Sequence, residues 1–355
     1  LNKTLEINPT VTIPSRVICL GEILLDSLAD EVTPYWEKVQ SWTAFPGGAP
    51  ANVAAALVKL GTSAAFIGCV GQDAEGNTLL KELATVGVDL KGVQRSHQFP
   101  TRQVYVLRSG QGDRQFAGFG EGLIPESNSG ACAVRQHSPD AFADAYLLPE
   151  KLPTELFLAA EYLVIGTLAL AYPHTREAVF RALELAETYS LKTVLDVNRR
   201  SQFWLNEADA LPLIQQLWQY LDFVKLSQEE ALWLFDTTDA AKISYRLDSV
   251  EGVFVTNGAA AVNYCLNDHS GKVTPPLVTV KDTTGAGDAF VAGLIHQLCL
   301  QGISRLNDPD LVRQIITYAC AVGSLTSTQL GAIAAQPTTT EVENLIEQSS
   351  LMITE

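Results

Sequence analysis

Short, largely apolar runs punctuate this chain: Arg16-Val17-Ile18-Cys19-Leu20, Phe66-Ile67-Gly68, Tyr162-Leu163-Val164-Ile165-Gly166, Thr193-Val194-Leu195-Asp196-Val197-Asn198, Phe223-Val224-Lys225-Leu226-Ser227 and Val253-Phe254-Val255-Thr256. They lack the in-out alternation of a half-solvated sheet, so each reads as a strand buried on both faces. Helical patterns lie between them, from Pro173 to about Ser190, around 206 to 220, and from Glu229 onward. Repeated strand-helix units predict an α/β fold, a mostly parallel sheet covered by helices on both faces. Such sheets bind ligands at the carboxyl ends of their strands. Asp26, Asn198, Ser227 and Gly258 fall at predicted strand ends and are candidate site residues on that ground.

With 355 residues, 47% of them apolar and 18% charged, the chain has material for one large domain, alone or carrying a small one. Its net charge of −16 argues against nucleic acid or an anionic membrane as a partner, because phosphate-backbone binding needs clustered Lys and Arg. An anionic small substrate stays compatible with that charge. The cysteines Cys19, Cys69, Cys132, Cys265, Cys299 and Cys320 form no CxxC pair and have no histidine at ligand spacing. Reduced, buried thiols in a cytoplasmic protein are expected. The first residues carry no basic patch leading into an apolar core, and Tyr162 to Ala171 is too short to span a bilayer, so neither secretion nor membrane insertion is expected.

A second pattern stands apart from the strand-helix units. Residues alternate loosely between Val32 and Phe45, and again at Gln103 to Arg108 and Arg114 to Phe119, the last two joined by Ser109-Gly110-Gln111-Gly112-Asp113. Such strands predict a small antiparallel sheet, a second domain. Residues 1 to 15 read as a loose leader, Gly71 to Gly76 as turn chemistry opening a helix, and Gly120 to Pro153 as a long polar loop or insertion.

Two glycine-rich segments carry the chemistry. Pro46-Gly47-Gly48-Ala49-Pro50-Ala51-Asn52 leads into an alanine-rich helix closed by Gly61. Its glycines leave backbone amides able to meet hydroxyls, and Asn52 offers a donor and an acceptor; a tight turn and close helix packing explain the glycines equally well. Asp282-Thr283-Thr284-Gly285-Ala286-Gly287-Asp288 precedes Phe290, Val291, Leu294, Ile295 and Leu298 at helical spacing. The Gly-Ala-Gly turn therefore opens a helix whose first amides lack intrahelical partners, a place for a phosphate or a developing oxyanion. Asp288 lies in the first turn, where the helix dipole favours its ionised form, ready to take a proton from a hydroxyl.

With both segments in view, the chain resembles the ribokinase-like (PfkB) carbohydrate kinases from about Val17 to about Leu345, nearest to fructokinases and 2-keto-3-deoxygluconate kinases. The signatures are GGAPANVAAALVKLG at 47–61 and DTTGAGDAFVAGL at 282–294, in that order. The resemblance implies a three-layer α/β sandwich with a small antiparallel lid, the core taking residues 1–31, 47–100 and 123–355 and the lid 32–46 and 101–122. It also implies transfer of the ATP γ-phosphoryl group to a sugar hydroxyl with Mg2+. Asp288 matches the base, Gly285, Ala286 and Gly287 the anion hole, and Asp26, Gly47, Gly48 and Asn52 the sugar-binding positions. Lys225, Ser227 and Glu230 match a KISxEE-like segment whose last glutamate meets magnesium through water. Asn198 matches a phosphate-side asparagine, and Thr256 and Gly258 a nucleotide turn. Asp282, Thr284, Thr326 and Gly331 fall where many members hold a monovalent cation such as K+. Relatives often pair through the lid, which implies a homodimer.

The chain also departs from the pattern. Asp196-Val197-Asn198-Arg199-Arg200 has the keto-deoxygluconate kinase form, in which Arg200 meets a carboxylate; bracing of phosphates is the other role open to it. Gly258-Ala259-Ala260-Ala261 lacks a second family glycine, Cys320 stands where Asn is common, and Gly118 to Gly122 does not follow the fructokinase pattern. Arg102 is expected as a lid-side substrate contact. The acceptor therefore stays open among fructose or a related keto sugar, a sugar acid and a nucleoside, and a weakly active nucleotide-binding protein is the reading from another class.

Overall fold

The computed structural model describes residues 14–108, 114–120, 124–125, 132–133 and 138–353. Its first strands are β1 (Val17–Leu20), β2 (Leu24–Val32), β3 (Trp42–Gly47), β4 (Ala64–Gly71) and β5 (Asp89–Ser96). Then come β6 (Gln103–Arg108), β7 (Arg114–Phe119) and the two-residue β8 (Ile124–Pro125) and β9 (Cys132–Ala133). The second half supplies β10 (Tyr162–Gly166), β11 (Lys192–Asp196), β12 (Phe223–Ser227), β13 (Gly252–Asn257), β14 (Ala260–Leu266) and β15 (His269–Val273).

A nine-stranded sheet runs in the order β15-β14-β13-β12-β11-β10-β1-β4-β5. It is parallel from β5 to β13, and only the β14–β15 end is antiparallel. Strand alternation explains the two covering layers. Val17 and Cys19 pack with the helices Ala49–Lys59, Ala286–Gln301 and Pro309–Thr326. Ile18 and Leu20 face the opposite way, toward Pro173–Tyr189, Ala210–Gln215 and Ala240–Leu247. The helix Ala286–Gln301 is buried almost all round, which accounts for its uniformly apolar sequence. Among the described residues, no helix is long and apolar enough to cross a membrane.

The expected parallel strands agree with the structure to within a few residues. The helix expected around 206 to 220 is instead divided into Glu207–Asp209, Ala210–Gln215 and Trp218–Tyr220, with 3-10 turns at both ends. The expected loop after Gly120 contains, at its described end, a buried 3-10 turn, Ala143–Tyr146.

The lid is a separate sheet in the order β3-β2-β6-β7. Its β2–β3 and β6–β7 pairs are antiparallel as expected, but β2 and β6 run parallel, so the sheet is mixed. The lid strand also begins at Leu24 instead of Val32, which moves Asp26 from the end of a core strand onto the lid. The turn Ser109–Asp113 lies outside the described residues, as do Glu121, Gly122 and residues 1–13 of the leader.

β1 has β4 on one side and β10 on the other, so the chain reverses its winding direction at that strand. A crevice opens outside the carboxyl ends of strands at such a point. The lid and the N-termini of Ala49–Lys59 and Ala286–Gln301 all meet there.

Candidate active site

A cleft of about 720 Å³ lies between the core and the lid, with Leu24, Asp26, Val104 and Phe116 on its lid wall. Gly285 caps the helix Ala286–Gln301 at φ 78°, a left-handed conformation that suits glycine. A methyl group there would come 2.8 Å from Ala332 Cβ. Gly285, Gly287 and Asp288 face the cleft together. Ala286 does not join them: its N–H donates to Thr283 O at 3.2 Å, closing the turn, and it lines a neighbouring cavity instead. Of the three residues expected to form an anion hole, Gly285 and Gly287 line the cleft and Ala286 does not.

Asp288 is buried, and Asn52 Nδ2 donates to its Oδ2 at 2.8 Å. This bond joins the two glycine-rich segments across 236 residues of sequence. Burial, with the Asp196 charge adding, pushes the Asp288 carboxyl up to about 6, against the pull of Asn52, Lys225 and Arg200. The helix dipole alone predicts the opposite direction; here desolvation outweighs it. A carboxyl titrating near 6 is ionised at neutral pH and still basic enough to accept a proton.

Lys225 pairs with Asp196 at 3.0 Å, both side chains less than a tenth exposed. A methyl on Gly287 would come 2.9 Å from Lys225 Nζ, so glycine lets the ammonium lie against the start of the helix. Burial opposes the charge of Lys225, but the carboxylates of Asp196, Glu230 and Asp288 outweigh it and hold the ammonium charged. Asp196 is a site residue that the sequence reading misses, although it ends β11 as Ser227 ends β12.

Another wall of the cleft is built on the turns after β11 and β12. Asn198 adopts φ 35°. Ser227 and Glu230 form a capping box, with Ser227 N–H donating to Glu230 Oε2 at 2.7 Å and Glu230 N–H to Ser227 Oγ at 3.2 Å. Glu230 Oε1 accepts from Arg199 N–H at 2.6 Å, so this one carboxylate ties both turns together. Arg199 pairs with Glu207 and lies over the Trp233 ring, which leaves Arg200 as the arginine exposed in the cleft.

At the start of the helix Ala49–Lys59, a methyl on Gly47 would come 2.4 Å from Asp26 Oδ2, and one on Gly48, at φ 107°, 2.4 Å from Glu22 O. A second cavity of about 310 Å³ holds Thr256, Gly258 and Cys320 and shares Thr283 and Gly287 with the cleft. The two expected halves of the site thus adjoin at the Gly-Ala-Gly turn. Asp282 accepts from Thr284 N–H (3.0 Å), Thr284 Oγ1 (2.7 Å) and Gly331 N–H (3.2 Å). With Asp26 these residues line a third space of about 10 Å³. Thr326 is not among the residues that line that space, and its hydroxyl donates back to Val322 O within its own helix.

Arg102 is the clearest correction. It is fully buried and absent from the cleft wall, with Asp144 holding it through bonds of 2.6 and 2.8 Å and Pro139 O accepting a third at 2.7 Å. The rings of Phe119, Phe142, Tyr172 and Phe203 surround its guanidinium. It is a structural anchor joining the lid to the core. Sequence reasoning also passed over Glu22, which lines the cleft with only 7% of its surface exposed.

Comparison with known proteins shows the family. The model for "pfkB family carbohydrate kinase" matches residues 14–339. A probable fructokinase-7 of Arabidopsis thaliana is 30% identical over 353 residues, covering 98% of this chain and 96% of the relative. The crystal structure of a fructokinase from Xylella fastidiosa with bound ATP superposes with a TM-score of 0.81 at 28% identity, over 94% of this chain and 98% of that one. A double mutant of the Vibrio cholerae O395 fructokinase, in fructose, ADP and potassium ion bound form, gives 0.77 at 26% identity, over 93% and 98%. Both signatures and matches that run nearly end to end therefore place this chain in the pfkB family of carbohydrate kinases, as a sugar phosphotransferase.

Proposed function

We propose that this chain is an ATP-dependent sugar kinase of the fructokinase type, with Asp288 as its base. The observation that carries this reading is the Asn52–Asp288 bond at 2.8 Å, in a cleft that adjoins the second cavity at Gly287. The sugar enters on the side of Asp26, Gly47, Gly48 and Asn52, and the nucleotide on the side of Thr256 and Gly258. The sugar hydroxyl oxygen attacks the γ-phosphorus while its proton passes to Asp288. The bond from that phosphorus to the β-γ bridging oxygen breaks, and ADP leaves with the electron pair. Amides around Gly287 and the Lys225 ammonium stabilise charge on the transferring group. Lid closure excludes water as a competing acceptor.

Among the described residues, no group of three or more His, Cys, Asp or Glu forms a metal cage. That suits magnesium, which keeps several waters and binds largely through substrate phosphates. Bound magnesium supplies neutralisation of phosphate charge; Glu230 would hold it through water, near Asn198 and Ser227. The shell of Asp282, Thr284 and Gly331 suits a monovalent cation, in keeping with the potassium named for the Vibrio cholerae protein. Homodimer formation through the lid is favoured by its exposed Val32 (60%) and Tyr35 (54%); light scattering should return twice the chain mass, and a monomer would remove that part.

Fructose is the expected acceptor, as the fructose-bound relative supports. Arg200 favours a second reading, because it is exposed in the cleft with no ion-pair partner among the described residues, as a carboxylate-reading arginine would be. ADP formation should be measured with ATP and magnesium against fructose, other keto sugars, 2-keto-3-deoxygluconate and nucleosides. The expected result is highest kcat/KM on fructose. Highest kcat/KM on the sugar acid would establish the second reading, and ATP binding without turnover on any acceptor would sink both.

A further inference from the structure

The first turn of the helix Ala49–Lys59 presents more acceptors to the cleft than the reaction described above uses. Glu22 leaves β1 at the reversal point of the sheet and reaches the start of this helix, where its Oε1 accepts from Ala49 N–H at 3.0 Å. Its other oxygen, Oε2, is buried and has no hydrogen-bond partner among the described residues. Asn52, one turn along the helix, shows the same pattern: Nδ2 is committed to Asp288, and Oδ1 is buried without a partner. Glu22 and Asn52 both line the cleft, 7% and 3% exposed. Arg102, whose charge reaches Glu22, makes no hydrogen bond to it: its Nε and Nη2 donate to Asp144 and Pro139 O, and its Nη1 is buried without a partner among the described residues. A buried carboxylate oxygen without a donor is costly, and this one borders the space where a polyol would lie.

We infer that Glu22 is a substrate-binding residue, whose Oε2 accepts a hydrogen bond from a second sugar hydroxyl close to the one that reacts at Asp288. This deepens the sugar-kinase reading and rests on it. A carboxylate in that position selects for a hydroxyl donor; it disfavours a methylene, which leaves the acceptor unpaired, and repels a carboxylate or phosphate at the same carbon. Charge at Glu22 and Arg200 would then divide the acceptor's recognition, a neutral hydroxylated end at Glu22 and any anionic group at Arg200. Burial, with the Asp144 and Asp288 charges adding, pushes the Glu22 carboxyl up to about 7 against the pull of the backbone amides. A hydroxyl donating to Oε2 favours the ionised carboxylate and would draw that value down.

The test is a double-mutant cycle between side chain and substrate. The wild type, Glu22→Gln and Glu22→Ala are assayed for kcat/KM on whichever sugar of the panel turns over fastest and on each of its monodeoxy analogues. The glutamine keeps an oxygen for Ala49 N–H and so preserves the start of the helix. For one analogue, the wild type should lose about tenfold to a hundredfold, as expected for a missing bond to a charged acceptor. In Glu22→Gln and Glu22→Ala that same penalty should shrink to less than about threefold, while penalties at the other carbons persist. If the variants are slower on all sugars by a common factor, with each deoxy penalty intact, Glu22 is only a helix cap and the inference is overturned. Should Glu22→Ala fail to fold, Glu22→Gln alone decides between those outcomes. A wild type that phosphorylates no sugar would instead overturn the proposed function, and the inference with it.

Discussion

Asp288→Asn is expected to lower kcat by about 10²- to 10⁴-fold, the range for loss of a positioned general base. ATP affinity should change by less than about threefold, because Gly285 and Gly287 and the second cavity are untouched. The Asn52 contact at 2.8 Å keeps the new amide in place, so the change isolates proton acceptance from geometry. Wild-type kcat/KM should fall as pH drops below about 6, where the buried Asp288 takes up its proton. Stability should move the other way. The folded carboxyl titrates above its ordinary value, so its contribution is fully present below the ordinary range and is lost as pH rises through about 6. At pH 8 the neutral asparagine escapes that loss and should stabilise the protein by roughly 1–3 kcal/mol, a gain that disappears near pH 4. Wild-type turnover by the variant, or a pH profile flat from 5 to 8, would remove Asp288 from its role.

Lys225→Met should have the largest effect on stability in the site. Its ammonium lies 3.0 Å from Asp196, with both groups buried, so the substitution strands a carboxylate whose other oxygen already lacks a partner. Breaking such a pair costs about 3–5 kcal/mol. Restoring neutrality with Asp196→Asn in the same chain should recover most of it. Catalysis should suffer separately. Lys225 holds the Asp288 carboxyl down, so its loss moves the acidic limb of the pH profile upward, and kcat at neutral pH falls more than kcat at pH 9. Chemical denaturation of the single and double variants reads the first effect and the pH profile the second. A Met variant as stable as wild type, with an unmoved profile, would show that the pair is ornamental to both.

Much of this architecture is legible in the sequence because the physics is local. Parallel strands buried on both faces must be apolar throughout, and helices announce their starts through Asp73, Pro173 and Ser227, each of which occupies the position its chemistry favours. Gly285, Asp288 and Asn52 are legible as motifs, and the structure brings them together. What is not legible depends on contacts distant in sequence. Arg102 sits beside a lid strand and reads as a surface or substrate residue; only Asp144, 42 residues on, and rings from separate segments make it an anchor. Glu22 reads as the end of a strand, and nothing local signals that its neighbour will be Ala49. Asp26 reads as the end of a core strand but lies on β2 of the lid, since Leu24 and Leu25 fit a lid strand as well as a connection. For Asp288, burial depth and the Asp196 charge outweigh the downward pull of the helix dipole, and both are tertiary quantities that no local pattern shows.

The central claim, phosphoryl transfer to a sugar hydroxyl in this cleft, is tested most directly by following ATP, magnesium and fructose with the purified protein by phosphorus NMR. The expected result is loss of the γ-phosphate signal matched by growth of a sugar phosphate monoester signal, with fructose required. Unchanged ATP, or release of inorganic phosphate alone with every sugar offered, would contradict it.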